Sequence, residues 1–309
     1  MTEPTARILS ARLGGGWSLR PLGSSGFCAA WRAQRTGRSA SIETLFVKSA
    51  PAARAAMLQA EADGLAALAA ARCIRVPEMA GCWVDAALDR AVLALEWLDL
   101  APQTLPEFGG HFGRHLAALH RSAPQDGDGR FGWRRDNWLG ATPQRNRWSD
   151  EANGLQGWIA FYASQRLGAM AERLASAGAT PALSVAVRRV IDALPGTLFD
   201  DGHVPRASLV HGDLWSGNWG RLAHDGAPVI FDPAVSVSDA EAELAMMELF
   251  GAPPAGFWPA YREAAGLADG YPRRRPLYQL YHLLNHALLF GGGYAGRAMG
   301  VIEGLVGRR

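Results

Sequence analysis

The sequence predicts an α+β chain of two lobes, a small β-rich N-terminal lobe followed by a larger, mostly helical one. Three observations carry this. In the first hundred residues, apolar runs with β-branched and aromatic content, Leu45-Phe46-Val47-Lys48 and Ala91-Val92-Leu93-Ala94-Leu95-Glu96, read as strands. Between them, residues 52–71 are rich in alanine and leucine, the best helix formers, and read as a helix. Residues 99–108 then carry two prolines and break the pattern. The lobe boundary is therefore placed near Asp99, dividing the chain into an N-terminal lobe, 1–98, and a C-terminal lobe, 99–309. Beyond that boundary, segments 111–120, 157–177, 182–194, 240–250 and 276–289 read as helices. Only Ser208-Leu209-Val210 and Val229-Ile230-Phe231 read as strands there, and the glycine triplets Gly14–Gly16 and Gly291–Gly293 read as flexible connections.

Composition narrows the class. A chain of 309 residues, 49% hydrophobic and 19% charged, suits a globular enzyme and not a disordered protein. No apolar run is long enough to span a bilayer, and the N-terminus lacks a basic-then-apolar leader, so no membrane association is expected. With a net charge of +2 and one dense basic run, Arg273-Arg274-Arg275, read as solvated surface, nucleic acid is not an expected partner. Cys28, Cys73 and Cys82 have no metal-ligand spacing and read as buried free thiols in a reducing, cytoplasmic setting.

One compositional feature is sharper. The chain has 31 Lys and Arg residues, and Lys48 is its single lysine. A solvated surface position accepts either cation, so a lone lysine in an arginine-rich chain marks a site where a compact ammonium is needed. Lys48 ends a strand, and Glu61 follows in the next helix. Leu58, Leu65 and Leu68 lie three, four and seven residues from Glu61, which puts this carboxylate on the apolar face. A buried carboxylate needs a partner, and Lys48 is the available one.

The strongest motif is His211-Gly-Asp213-Leu-Trp-Ser-Gly-Asn218 followed by Phe231-Asp232-Pro233. An Asp followed five positions later by Asn has the spacing of a kinase catalytic loop, in which Asp213 would accept a hydroxyl proton and Asn218 would hold Mg²⁺. Residues 219–222 and 229–231 can pair around an Asp225-Gly226 turn. Centred there, the pairing sets Asn218 opposite Asp232 or Pro233, roughly 5 Å away, close enough for Asn218 and Asp232 to share one cation. Any one of these residues alone would be a turn cap; the combination is what points to catalysis.

Weaker candidates rest on position. Gly23, Ser24, Ser25 and Gly26 precede the lysine strand and could let backbone amides approach phosphates. Glu96, Trp97 and Leu98 stand where an interlobe hinge would meet adenine. His282 and His286 have zinc-helix spacing but lack the intervening glutamate of a metalloprotease, so they face the cleft or pack as polar core. Trp215 and Trp219 flank the catalytic loop and either stack on a substrate, with His286 nearby, or belong to the core.

The chain resembles the fructosamine kinase (ketosamine-3-kinase) family, relatives of aminoglycoside and choline kinases. The resemblance lies in Phe46-Val-Lys48, Glu61 to Leu68, Leu116-Ala-Ala-Leu-His-Arg121 and Asp136-Asn-Trp-Leu-Gly-Ala-Thr-Pro-Gln144. It continues in His211 to Asn218, Asp232 to Val235, Glu243 to Gly251, and Tyr278 to His286. Tryptophan after His-Gly-Asp-Leu is its distinctive feature. The resemblance implies a two-lobed protein-kinase-like fold, using ATP and Mg²⁺ to phosphorylate the carbon-3 hydroxyl of ketoamines on small amines or protein lysines, which leads to deglycation. Carried over residue by residue, Asp213 is the base, Asn218 and Asp232 the Mg²⁺ ligands, Lys48 the phosphate contact and Glu96–Leu98 the hinge. Two departures stand out: the first forty residues match the family's glycine loop poorly, and Ser236-Val237-Ser238 replaces a tyrosine- and glycine-bearing segment. The residues alone leave open a kinase of another small hydroxyl compound (aminoglycoside, amino alcohol or sugar) and a non-catalytic nucleotide-binding protein, as monomer or homodimer.

Overall fold

A computed structural model describes residues 3–24, 27–36, 43–103, 105–122, 128–151, 154–178 and 181–307. Helix α1 (Pro4–Leu13) starts where the Glu3 side chain accepts the Ala6 amide at 3.2 Å, with proline in its first turn. A five-stranded antiparallel sheet follows, formed by β1 (Gly16–Ser24), β2 (Ala29–Thr36), β3 (Thr44–Ala50), β4 (Met79–Asp85) and β5 (Arg90–Glu96) in the order β1-β2-β3-β5-β4. Helix α2 (Ala55–Ala71) lies between β3 and β4 and ends where Arg72 takes a left-handed conformation, φ 54°.

Strand alternation decides what each face of the sheet touches. Leu45 and Val47 of β3, with Val92 and Ala94 of β5, pack against Ile8 and Leu9 of α1. Leu93 and Leu95 of β5 face the other way, onto Leu58, Leu65 and Leu68 of α2. Lys48 is one residue on from Val47, so it shares the α2 face.

The larger lobe begins with β6 (Leu100–Ala101) and α3 (Pro106–Arg121), then the hairpin β7 (Asn137–Leu139) and β8 (Thr142–Gln144). Helix α4 (Gly154–Phe161) runs through a π-helical stretch (Tyr162–Gly168) into α5 (Ala169–Ser176), and α6 (Pro181–Ala193) follows. Short strands β9 (Ser208–Val210), β10 (Trp219–Leu222), β11 (Pro228–Ile230) and β12 (Ser236–Ser238) precede α7 (Ala240–Met247), α8 (Phe257–Ala265), α9 (Tyr271–Phe290) and α10 (Gly293–Val306). Strand β6 pairs with β10, β10 with β11, and β12 with β9. The lobe's aromatic centre is Phe131, Trp158, Tyr162 and Tyr278, in edge-on and stacked contacts. Among the described residues, no helix is long and apolar enough to cross a membrane.

Some readings need correction. The expected single helix over 157–177 is α4, the π-helical stretch and α5. The glycines at 291–293 are not only a connection, because Gly293 opens α10. The arginine run is solvated surface only at its flanks, Arg273 and Arg275. Arg274 is buried, forking onto Glu241 at 2.7 and 2.8 Å and meeting Asp201, while Arg273 and Arg275 pair with Asp200 and Glu248. The buried Glu241 carboxylate on α7 requires a buried cation, which no local pattern around the arginines announces. The three cysteines, none of them in a disulfide, are half-buried, not enclosed.

Candidate active site

Strand β9 delivers the chain into the loop 211–218, and buried polar groups fix that loop. The Gly212 amide donates to Glu243 Oε1 at 2.7 Å, and the Ala234 amide donates to the His211 carbonyl at 2.8 Å. Gly212 has φ 86°, and a Cβ there would lie 2.1 Å from the Ala234 oxygen, so only glycine fits. His211, fully buried, receives the Asp213 amide on Nδ1 at 3.3 Å. Its proton must then sit on Nε2, donated to the Phe231 carbonyl at 2.8 Å. Burial lowers the His211 pKa and keeps the ring neutral, as this tautomer requires. Asn218 Nδ2 donates to the Asp213 carbonyl at 2.8 Å, closing the loop on itself.

Across the cleft, Lys48 Nζ lies 2.9 and 3.0 Å from the two Glu61 oxygens and 2.7 Å from Asp232 Oδ1. Burial pulls the Lys48 ammonium down, but Glu61 and Asp232 more than offset it and hold it above its ordinary value. Burial pushes Glu61 up to about 7, with Lys48 opposing and Asp232 reinforcing the rise. Lys48 thus stays charged between two carboxylates, and Glu61 carries the strain of burial. Asp213 is raised well above the usual carboxylate range, by burial first and by the Asp232 charge second, against the Asn218 hydrogen bond. Asp232 itself holds a left-handed backbone, φ 59°, a conformation that asparagine and aspartate tolerate best among non-glycine residues.

The hairpin register differs from the expected one. Trp219 pairs with Ile230 and Gly220 with Val229, so Asn218 stands opposite Phe231, whose amide donates to the Asn218 carbonyl at 3.0 Å. The turn spans residues 223–226, closed by the Leu222 amide on the Ala227 carbonyl at 2.9 Å. Asp225-Gly226 occupies its second half instead of its centre, which slides the pairing. The Asn218 amide still reaches the Asp232 carbonyl at 3.5 Å.

Lys48, Glu61, Asp213, Trp215, Asn218 and Asp232 line one cavity of about 220 Å³. Glu96, Trp97 and Leu98 line a second, of about 210 Å³, together with Phe46, Leu95 and Phe231; Asp232 borders both. Glu96 is pinned there by Arg75 at 2.6 Å and by the Glu78 amide at 2.9 Å. A larger cavity of about 570 Å³ lies behind α2, beside Leu65, Cys73 and His115, and shares no lining residue with the first cavity; size does not mark the site here. Gly23 and Ser24 end β1, while Ser25 and Gly26 lie outside the described residues; Phe27 and Cys28, just beyond, line the first cavity.

Two expected contacts fall elsewhere. Trp219 is 3% exposed, its Nε1 donates to Gln103 Oε1 at 3.1 Å and its ring packs on Phe112, so it is a core residue. Strand alternation explains this: Asn218 and Trp219 are neighbours and must point apart. His286 packs among Phe250, Phe290 and Tyr294 and lines neither cavity.

Other residues of the site were not singled out from sequence. Glu243, which holds Gly212, also accepts from His120 Nε2 at 2.8 Å, and His120 Nδ1 meets the Tyr261 hydroxyl at 2.8 Å. Burial would raise Glu243, but the His120 hydrogen bond, with lesser help from the Gly212 amide, brings it below its ordinary value. An acidic residue amid the apolar run Leu244-Ala-Met-Met247 was the available signal. Asn137, Trp138 and Gly140 also line the first cavity.

The fold is that of the kinase-like phosphotransferases. An aminoglycoside phosphotransferase of Streptomyces rimosus, 19% identical, matches over 90% of this chain and 97% of its own with a TM-score of 0.55. The chain belongs to the fructosamine kinase family, whose sequence profile matches residues 27–308. A probable ketoamine kinase of Synechocystis is 42% identical over 266 residues, covering 84% of this chain and 81% of that protein. One from Escherichia coli K12 is 35% identical over 297 residues, 94% of each. A Thermobifida fusca structure provisionally named fructosamine-3-kinase, 34% identical, covers 98% of both chains with a TM-score of 0.80. The chain is thus a phosphotransferase with an alcohol group as acceptor.

Proposed function

We propose that this protein transfers the γ-phosphoryl group of ATP to the carbon-3 hydroxyl of ketoamines, with Asp213 as the base. The observation that carries this is the shared cavity. Asp213 faces the Lys48–Glu61–Asp232 cluster, and a second, largely apolar cavity beside residues 96–98 is suited to an adenine ring. Asp213 orients the acceptor hydroxyl and takes its proton as the oxygen bonds phosphorus and the bond to the leaving diphosphate breaks. Burial raises the Asp213 carboxylate, which makes it a stronger proton acceptor for that task. Lys48, kept charged by Glu61, stands to screen the phosphates.

The donor set also fits Mg²⁺. Asn218 spends its amide nitrogen on the Asp213 carbonyl, which leaves its oxygen, and the Asp232 carboxylate is 41% exposed toward the cleft. These are hard oxygen donors with room for water and phosphate. Held there, Mg²⁺ would supply charge neutralisation on the phosphates. Phosphorylation at carbon 3 makes the sugar adduct prone to elimination and frees the amine, so the biological result is deglycation of small amines or protein lysines. Three cysteines outside any disulfide support a reducing, cytoplasmic setting.

The test is an acceptor screen for ADP release using ribose-, erythrose- and glucose-derived ketoamines beside aminoglycosides, amino alcohols and free sugars. Turnover confined to the ketoamines, with phosphorus NMR placing the phosphate on carbon 3, is the expected outcome. Turnover of another class alone, or of none, overturns the reading.

A further inference from the structure

The ketoamine reading leaves open which residue recognises the amine-bearing half of the acceptor, and this inference rests on that reading. Two indoles bound the cavity near Asp213: Trp215 from the catalytic loop and Trp138 from the β7–β8 hairpin. Trp215 folds back over Gly217, where a Cβ would meet its ring at 2.4 Å, so its own loop covers part of that ring. Trp138 stands on a different element. Along β7, Asn137 and Leu139 are buried, while Trp138 between them is half-buried and lines the cavity.

The hairpin is held still from behind. Gly140 takes φ 61° at the turn, where Leu139 pairs with Thr142. Asn137 Nδ2 donates to the Val235 carbonyl at 2.8 Å, and its Oδ1 accepts from Gln144 Nε2 at 2.8 Å and Asn146 Nδ2 at 2.9 Å. Arg166 Nη2 donates to Asn146 Oδ1 at 2.9 Å, and the Tyr281 hydroxyl donates to Gln144 Oε1 at 2.9 Å. All five side chains are buried, and a buried network whose members satisfy one another fixes a surface in one arrangement. Trp138 is therefore a rigid wall.

Charge defines what that wall receives. A ketoamine carries a secondary ammonium separated by three carbons from the oxygen to be phosphorylated. Of the carboxylates lining the cavity, Glu61 and Asp232 are engaged by Lys48, and Asp213 is required by the hydroxyl. Of the neutral aromatic faces that line the cavity, an indole attracts an ammonium most strongly. We propose that Trp138 is a specificity-determining residue that receives the amine-bearing half of the acceptor, with its indole against the ammonium.

The test compares wild type, Trp138→Ala and Trp138→Phe on two acceptors with the same sugar: an N-alkyl ketoamine and its uncharged N-acetyl derivative. ADP release is followed, and a derivative that is not turned over is measured as a competitive inhibitor. Trp138→Ala is expected to lower kcat/KM for the amine about ten-fold, chiefly through acceptor KM. It should leave the N-acetyl compound within about two-fold and the KM for ATP unchanged, and Trp138→Phe should retain most of the wild-type preference. Equal losses on both acceptors, an intact amine preference in Trp138→Ala, or a matching rise in the KM for ATP overturns the inference while leaving the ketoamine reading standing. A wild-type enzyme inactive on every ketoamine overturns both.

Discussion

On the N-terminal wall of the cleft, Lys48 and Glu61 are carried by a strand and a helix, β3 and α2, and the backbone under each is held by its own ladder of hydrogen bonds. On the C-terminal wall, Asp213 sits in a loop with no such ladder, and three polar contacts replace it: Glu243 on the Gly212 amide, His211 on the Asp213 amide and Asn218 on the Asp213 carbonyl. Regular structure places a charge through periodicity, and each side chain can be changed with local effect. An irregular loop places its base through buried partners within the loop and through one, Glu243, from a distant helix, so a change behind the loop reaches the chemistry. The second wall is also where the surroundings drive pKa values apart: burial raises Asp213, whereas the His120 hydrogen bond brings Glu243 down against its burial.

Substitutions on the two walls would sharpen or break this contrast. The largest effect is expected from Asp213→Asn, a loss of about a thousand-fold or more in kcat with ATP binding retained in a fluorescence titration. Because the folded pKa of Asp213 is raised, stability is lost as pH climbs from the ordinary carboxylate range through the folded value. The Asn variant should therefore melt about 2 °C or more above wild type at neutral pH, the gain fading on acidification. Near-wild-type turnover in this variant removes Asp213 from the base role.

Glu243→Gln comes next. It lines neither cavity yet should lower kcat about a hundred-fold at unchanged acceptor KM, and leaving one of its two buried donors without an acceptor should cost about 1–3 kcal/mol in denaturant unfolding. The depressed pKa of Glu243 contributes stability above the ordinary carboxylate range that is lost as pH falls through the folded value, so the variant should lack that part of the acid limb. A Gln variant with wild-type kcat would show that the loop holds itself.

On the other wall, Lys48→Arg keeps the charge but not the compact ammonium seated between two carboxylates. It should raise the KM for ATP and lower kcat by about ten-fold each, without a change in melting larger than about 2 °C. Full activity would make the lone lysine incidental. The smallest effect on turnover is expected at Trp219→Phe, where acceptor KM stays fixed and stability falls by about 1–2 kcal/mol from the lost bond to Gln103. A rise in acceptor KM there would return this residue to the cleft.

Both walls were legible in sequence to different depths. The strand at 45–48, the helix over 52–71 and the face shared by Glu61 and its leucines follow from periodicity, which needs no knowledge of the rest of the chain. The Asp213–Asn218 loop was legible as a motif, because spacing within one loop survives any packing. The register of β10 and β11 was not, since turn length slides a hairpin, nor was the side to which Trp219 points. Helix α10, with Gly296, Gly300 and Gly304 along it, gives no propensity signal and is a helix through its packing on α9 and α6.

By itself the sequence determined the family, the two-lobed plan and the residue types that can handle a phosphoryl group, because these are encoded in local patterns and short motifs. Only the tertiary structure decided that Glu243 reaches Gly212, that Arg274 neutralises Glu241, and that Asn137, Gln144, Asn146 and Arg166 join behind Trp138. Each of these joins buried polar groups brought together from separate stretches of chain. A buried charge or amide is kept only where a partner arrives from elsewhere in the fold, and nothing in the residues beside it names that partner.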